Sequence, residues 1–355
     1  MSASTETPQS QLIQELVQYG DFLQLSRNQP TYFDIPLTFT LTNGTQVDIA
    51  APGIISFTPL GFGDKDIVLS SGIHGNETAP IEMCEHYVRD IFRGELIVAH
   101  RLLFLFGNLP AMNKGSRFIE ENLNRLFSGA HSQDVPEHAV NSERLRAKEL
   151  EQAVADFYTC LPSQPSRQRL HYDLHTAIKP SKNDKFAVYP FRHGRPWNKQ
   201  QLQFLLACGI NTILLSGSAT TTFSYYSSNQ FSAEAFTVEL GKVMPFGQND
   251  MRQFAAADTM LRRLLSGQDL QLKPYEAGDF LIYQVNQVIN KLADNFKLAF
   301  GDDEPNFSTF KQGDLLATEG DREYRCQQDG EAIVFPNANV ALAQRAILTV
   351  IPTTI

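Results

Sequence analysis

Ile67-Val68-Leu69-Ser70-Ser71-Gly72-Ile73-His74-Gly75-Asn76-Glu77-Thr78-Ala79-Pro80 is the stretch on which the reading of this chain turns. The apolar run Ile67–Leu69 predicts a buried strand, and the glycines after it let the backbone leave sharply. Beyond Pro80, the residues Cys84, Tyr87, Val88 and Ile91 share one face of a helix. The turn between them carries His74 and Glu77, three positions apart. A neutral imidazole and a carboxylate suit a zinc ion at a hydrolytic site. His-x-x-Glu alone is a weak pattern, common on surface helices, so its meaning depends on residues further along.

Leu170-His171-Tyr172-Asp173-Leu174-His175-Thr176 supplies the company. With period-two alternation, Leu170, Tyr172 and Leu174 face one way and His171, Asp173 and His175 the other. His175 at the strand end completes a set of two histidines and one glutamate, with a fourth zinc position left for water. Asp173 is placed to hold the imidazole tautomer from behind. His171 reads as a polar residue on the wet face of a half-buried strand, since the ligand set is complete without it.

Strand and helix signals alternate up to about residue 265. Leu37–Leu41 and Gln46–Ile49 flank Asn43-Gly44, a hairpin signal. Ile67–Ser70, Leu102–Phe106, Leu170–Leu174, Phe186–Tyr189, Thr212–Leu215 and Ala235–Leu240 read as short strands buried on both faces. Helices are expected after Pro80, along Leu145, Leu150, Val154 and Phe157, over Asn198–Cys208 and over Asn249–Leu265. Thr220–Ser228 reads as a polar-aromatic loop. The alternation predicts an α/β fold, with a mixed, mostly parallel central sheet flanked by helices and catalytic residues at the carboxyl ends of strands. After Gly267 the character becomes β-like, with one helical stretch expected near Gln287–Lys297. The predicted organisation is a catalytic α/β domain over residues 1–268 and a smaller β-rich domain over 269–355.

Bulk properties fit a soluble intracellular enzyme. The chain has 355 residues, 42% hydrophobic and 19% charged, enough for a substantial core. A net charge of −9 offers no basic field to nucleic acid, and no apolar run is long enough to cross a bilayer. Met1–Pro8 lacks the basic-then-apolar order of a secretory leader. Cys84, Cys160, Cys208 and Cys326 lie far apart, which points to buried or neutral thiols in a reducing compartment and hence to the cytoplasm. The expected partner is a small-molecule substrate, with self-association into a homo-oligomer left open.

Three further clusters turn a metal site into a proposed active site. Asn124 and Arg125, in Glu121-Asn122-Leu123-Asn124-Arg125-Leu126-Phe127, present planar donors that clamp a substrate carboxylate. Arg117, in Asn113-Lys114-Gly115-Ser116-Arg117-Phe118, is placed to polarise the carbonyl under attack. Glu239 sits within the apolar strand Phe236-Thr237-Val238-Glu239-Leu240-Gly241, where a charge is costly unless it is paired or working. A carboxylate beside an activated water is the general base that hydrolysis needs.

Taken in order, these motifs resemble the succinylglutamate desuccinylase and aspartoacylase branch of the zinc carboxypeptidase superfamily. The resemblance rests on His74 with Gly75-Asn76-Glu77, Asn113–Arg117, Asn122–Phe127, Asp173-Leu174-His175-Thr176 and Val238-Glu239-Leu240-Gly241, and it spans most of the first domain. The separation of Glu77 from His175 also matches this branch, being shorter than in the digestive carboxypeptidases. The resemblance implies one zinc ion on His74, Glu77 and His175, Glu239 as base, and substrate contacts from Arg117, Asn124 and Arg125. Tyr225 sits where the branch has a substrate-contacting tyrosine. Asn229 stands where aspartoacylases supply a further arginine, which disfavours N-acetylaspartate and implies a differently shaped acyl pocket. The C-terminal part resembles the branch's β-rich extension, which shapes the pocket entrance. The implied activity is hydrolysis of the amide of N2-succinylglutamate to succinate and glutamate, a step of arginine breakdown. An aspartoacylase-like deacylase, a metallocarboxypeptidase or a non-catalytic metal-binding protein are the alternatives.

Overall fold

The computed structural model describes residues 8–133, 140–162 and 166–355; the opening Met1–Thr7, read above for a leader, lies outside them. Helices α1 (Pro8–Tyr19) and α2 (Phe22–Asn28) precede an antiparallel group, β1 (Leu37–Thr40), β2 (Gln46–Ala51) and β3 (Ile54–Thr58). Alternation then begins with β4 (Lys65–Ser71), α3 (Thr78–Phe92), β5 (Arg101–Phe106), α4 (Leu109–Lys114), α5 (Ser142–Thr159) and β6 (Gln168–Ala177). It continues through β7 (Phe186–Tyr189), α6 (Lys199–Ala207), β8 (Thr212–Leu215), α7 (Phe223–Phe231), β9 (Glu234–Lys242) and α8 (Ala255–Leu265). The C-terminal part adds β10 (Leu281–Asn290), β11 (Lys297–Leu298), β12 (Thr309–Phe310), β13 (Leu315–Glu319), β14 (Arg322–Arg325), β15 (Glu331–Val334) and β16 (Arg345–Pro352).

Among the described residues, thirteen strands form one mixed sheet in the order β1-β2-β3-β5-β4-β6-β9-β7-β8-β10-β16-β15-β12. The middle is parallel across β5-β4-β6-β9 and again across β7-β8-β10, with β9 and β7 antiparallel between them. Both ends are antiparallel. The alternation of apolar side chains assigns the faces. Ile67, Leu69, Leu102, Phe104, Leu170, Tyr172, Leu174, Phe236 and Val238 pack under α3, α6 and α8. Val68, Leu103, Leu105 and Ala235 pack on the other face, against Leu150, Val154 and Phe157 of α5 and Phe223 of α7. Helices therefore cover both faces, which removes the wet face expected for His171. That side chain is fully buried beneath α7, bonded to Ser70 Oγ at 2.8 Å and Ser227 Oγ at 2.7 Å.

Two other expectations need correction. Thr220–Ser228 is not a loop throughout, because α7 starts at Phe223. Intrinsic propensity is poor there, but tertiary contacts override it: Asn124 Oδ1 accepts the first N–H, from Phe223, at 3.1 Å, and the Phe223 ring stacks on Phe127 at 4.1 Å. No helix forms near Gln287–Lys297; β10 runs to Asn290, pairing Val288 with Leu348 and Ile289 with Ile347. Burial of Ile289 against the C-terminal core decides that competition. Strand β3 and helices α1 and α2 were not anticipated. The central sheet crosses residue 268 without a break, since β10 pairs in parallel with β8. A shared core joins Phe186 and Leu214 to Phe307, Val334, Leu348 and Val350.

The turn after β4 is the tightest packed part of the site. Gly72 holds φ +66°, a left-handed conformation glycine adopts freely. Gly75 lies against the start of α4 so closely that a Cβ there would sit 2.2 Å from the Ala111 carbonyl carbon. Gly75→Ala therefore forces the histidine turn and α4 apart. It should lower the unfolding free energy by about 1–3 kcal/mol in urea denaturation. An unchanged midpoint would mean that the two segments do not press together.

Candidate active site

β4 and β6 are parallel neighbours whose connections diverge, since α3 leads from β4 to β5 on the opposite side from β6. Such a switch point leaves a crevice beyond the carboxyl ends of the strands. His74 enters it from the turn after β4, Glu77 from the N-cap of α3, and His175 from the end of β6. All three are buried, at 3%, 2% and 1% exposure, and one ligating atom from each falls within 4.8 Å of the others.

Glu77 is the hub. Its side chain caps no helical N–H, although it occupies the N-cap. Oε1 lies 2.9 Å from His74 Nδ1, and Oε2 lies 2.8 Å from His175 Nδ1. Oε2 also accepts the Thr176 N–H at 3.2 Å, and Oε1 accepts from Arg117 Nη1 at 2.6 Å. Burial alone would raise the Glu77 pKa, but the charges of His74, His175 and Arg117 outweigh it and hold the group well below the usual carboxylate range. Burial and the positive Arg117 push His74 down to about 4, so this ring is neutral. Burial opposes charging of His175 as well, yet Asp173 and Glu77 raise its pKa well above the ordinary value. The field that draws a proton to His175 equally draws a divalent cation.

The outer nitrogens decide the tautomers. Asn122 Oδ1 also accepts the Asn124 N–H at 3.1 Å, so this atom is an acceptor and the proton on His74 Nε2, 2.9 Å away, points to it. Asp173 Oδ2 takes the Nε2–H of His175 at 2.9 Å, and Ser70 Oγ donates to the same carboxylate at 2.5 Å. Both rings thus turn Nδ1 inward. His74 Nδ1 is buried without a hydrogen bond, although Glu77 Oε1 is close. Two lone-pair atoms brought together without a shared hydrogen are what a cation between them requires, and the donor set fits zinc.

The ladder between β6 and β9 positions the remaining acid. His171 pairs with Ala235, Asp173 with Thr237 and His175 with Glu239, so the polar faces of the two strands stand side by side. Glu239 is 7% exposed, and its Oε2 is buried without a hydrogen-bond partner. Burial, then the negative charge of Glu77, raise its pKa to about 7. A carboxylate poised there is suited to accept a proton near neutral pH. His74, Glu77, His175 and Glu239 line one end of a cavity of about 380 Å³ that reaches the C-terminal part at Asn337 and Arg345.

Comparison with known proteins shows the family. The profile of the Succinylglutamate desuccinylase/Aspartoacylase catalytic domain matches residues 64–265, and that of the AstE/AspA barrel-sandwich hybrid domain matches residues 278–353. The chain belongs to the succinylglutamate desuccinylase/aspartoacylase family. A succinylglutamate desuccinylase of Pseudoalteromonas atlantica is 62% identical, covering 97% of each chain. Another, from Idiomarina loihiensis, is 50% identical, covering 94% of this chain and 96% of its own. The crystal structure of the Chromobacterium violaceum succinylglutamate desuccinylase superposes with a TM-score of 0.82 at 37% identity, covering 94% of this chain and 98% of that one. Murine aminoacylase 3, 15% identical, shares the fold alone.

Other residues singled out from sequence fall in different places in this family member. Arg117 lines the cavity with its side chain one-third exposed, and it holds Glu77. Asn124 and Arg125 also line it. The Asn124 amide oxygen is spent on α7, while Arg125 Nη1 donates to the Asn124 carbonyl at 2.8 Å. Tyr225 is not among the lining residues: α7 presents Ser224 and the preceding Thr222 to the cavity, and the Tyr225 hydroxyl bonds His193 Nε2 at 2.9 Å instead. Asn229 is exposed near the end of α7 and is not among the residues that line the cavity. Asn122 was read only as part of a motif, and its role needed the fold to bring it beside His74 across a sequence separation of 48. Arg345, from the C-terminal part, carried no sequence signal at all.

Asn122→Ala frees the His74 ring to rotate and to change tautomer. Loss of such an outer partner should weaken metal binding by about 10- to 100-fold in competition with a chromogenic chelator. Affinity equal to the parent would remove Asn122 from the ligand support.

Proposed function

We propose that this protein is a cytoplasmic zinc-dependent hydrolase of N2-succinylglutamate, releasing succinate and glutamate in arginine catabolism by the succinyltransferase route. The observation that carries the reading is the convergence of His74, Glu77 and His175 beside Glu239, in a cavity whose lining also carries Arg117, Arg125 and Arg345. The names of the close relatives supply the substrate. No helix among the described residues is long and apolar enough to cross a membrane, in keeping with a small-molecule enzyme.

His74 Nδ1, Glu77 and His175 Nδ1 would hold the zinc ion, which when bound supplies Lewis acidity and brings the pKa of a coordinated water to about 7. Glu239, next to His175 in the ladder, accepts the proton of the attacking water and returns it to the departing amine nitrogen, so that it is regenerated each cycle. Arg117 meets the negative charge that develops on the carbonyl oxygen, while its bond to Glu77 keeps the guanidinium in place. Arg125 holds a substrate carboxylate, with Asn124 fixing the turn that carries it. Asp173 and Asn122 keep both imidazoles in the tautomer that ligates.

Assays of N2-succinylglutamate, N-acetylaspartate and a short peptide, side by side, should show turnover of the first in preference to the others. Preference for acetylaspartate or the peptide would transfer the protein to a deacylase or carboxypeptidase role. Glu239→Gln, nearly isosteric, should keep its zinc by metal analysis and lose about 10²- to 10⁴-fold in kcat. Retention of most turnover would dismiss Glu239 as the base.

A further inference from the structure

Arg345 opens β16, lines the same cavity as the metal donors and lies four strands from β9 along the sheet, through β7, β8 and β10. Its guanidinium has no acidic partner among the described residues, and its Nε is buried without a hydrogen bond. Its aromatic contact is with the Phe335 ring, 5.4 Å from the guanidinium carbon to the centroid. The neighbouring wall is mostly neutral, from Asn337, Asn339 and Gln344, and the acid that also lines it, Asp302, forms no ion pair with Arg345. Arg125 lines the same cavity, and its single side-chain hydrogen bond is to a backbone carbonyl of its own turn. Burial and the positive charge of Arg345 bring the Arg125 pKa down to about 9, and burial brings Arg345 to about 10.

Two half-buried guanidinium groups on one cavity lining, neither with an acidic partner among the described residues, are costly to hold in a folded protein. A planar fork of donors matches a carboxylate with two parallel hydrogen bonds, and the arrangement becomes favourable when an anion completes it. We propose that Arg345 and Arg125 form a subsite for a substrate carboxylate remote from the cleaved amide, so that the C-terminal part selects N-acyl amino acids with an extra acidic terminus. The inference rests on the hydrolase reading above and specifies the anionic feature that this enzyme recognises. The carboxylate has two sources, the end of the acyl group or the side chain of the amino acid.

The test compares the parent, Arg345→Gln and Arg345→Lys on N2-succinylglutamate, N-butyrylglutamate and N-succinylglutamine. Calorimetric titration with succinate, butyrate, glutamate and glutamine accompanies it. R345Q should lose about 10- to 100-fold in kcat/KM on succinylglutamate, chiefly through KM, with R345K intermediate. The loss should vanish on the one analogue that lacks the carboxylate held at the subsite. The matching product, succinate or glutamate, should bind R345Q more weakly by a similar factor, while its neutral-ended counterpart binds both proteins alike. R345Q should melt no lower than the parent, since an uncompensated buried charge has been removed. Equal losses on all three substrates, or unchanged kinetics and product binding in R345Q, would overturn the subsite. A parent that cleaves none of the substrates but binds the diacid through Arg345 would reject the reaction and keep the subsite.

Discussion

The Glu77 carboxylate, held between two imidazoles and a guanidinium in the absence of bulk water, is the interaction on which the rest of the structure depends. A buried carboxylate is tolerated only where opposite charge and hydrogen bonds surround it. Here each partner comes from a different element: His74 from the turn after β4, His175 from β6, Arg117 from the loop after α4, and the Thr176 N–H from the strand backbone. The need to bring these elements to one point explains the glycines. Gly72 turns the chain and Gly75 lets it touch α4, so the histidine turn is braced by that helix. The polar ladder of β6 and β9 extends the same logic, because the acid beside His175 is fixed by strand register and does not need a mobile loop.

Period-two alternation in Leu170–His175 was enough to put His171, Asp173 and His175 on one face, because a strand allows no other arrangement. The same rule, applied to Phe236–Gly241, separates Glu239 from the apolar side chains around it, but only pairing with β6 shows that Glu239 stands next to His175. Short apolar runs identified most strands of the α/β core because each is buried on both faces. Where local preference and tertiary contact disagreed, local reading failed. Phe223–Phe231 is helical because Asn124, 99 residues earlier in the sequence, caps it and Phe127 stacks on it. His171 is dry because α7 covers it. Tyr225 follows the cavity residue Ser224 on the same helix and still points elsewhere, a distinction set by helical rotation and invisible to motif position.

The C-terminal part changes meaning once the sheet is traced. Read as a sequence, it is a β-rich appendage. In the fold, β10 continues the central sheet from β8, and residues on both sides of the junction share a core with Phe186, Leu214 and Leu348. A wall built on a continuous sheet is held at a fixed distance from the metal donors. A cavity closed by such a wall can measure the length of what it contains, in a way that a loosely tethered module cannot.

Charge is distributed against the net value. The chain carries −9 overall, yet the cavity collects Arg117, Arg125 and Arg345 on its lining, while Glu77 and Glu239 stand beside the two histidines and Asp302 lines the wall of the C-terminal part. Long-range repulsion of an anionic substrate is screened within about 8 Å at physiological ionic strength, so the local field inside the cavity governs binding. The carboxylates and imidazoles around Glu77 attract a cation and a proton, and Arg125 and Arg345, which lack an acidic partner among the described residues, attract carboxylates. The proposed substrate, an N-acyl amino acid with anionic ends and a neutral amide between them, is complementary in charge to that lining.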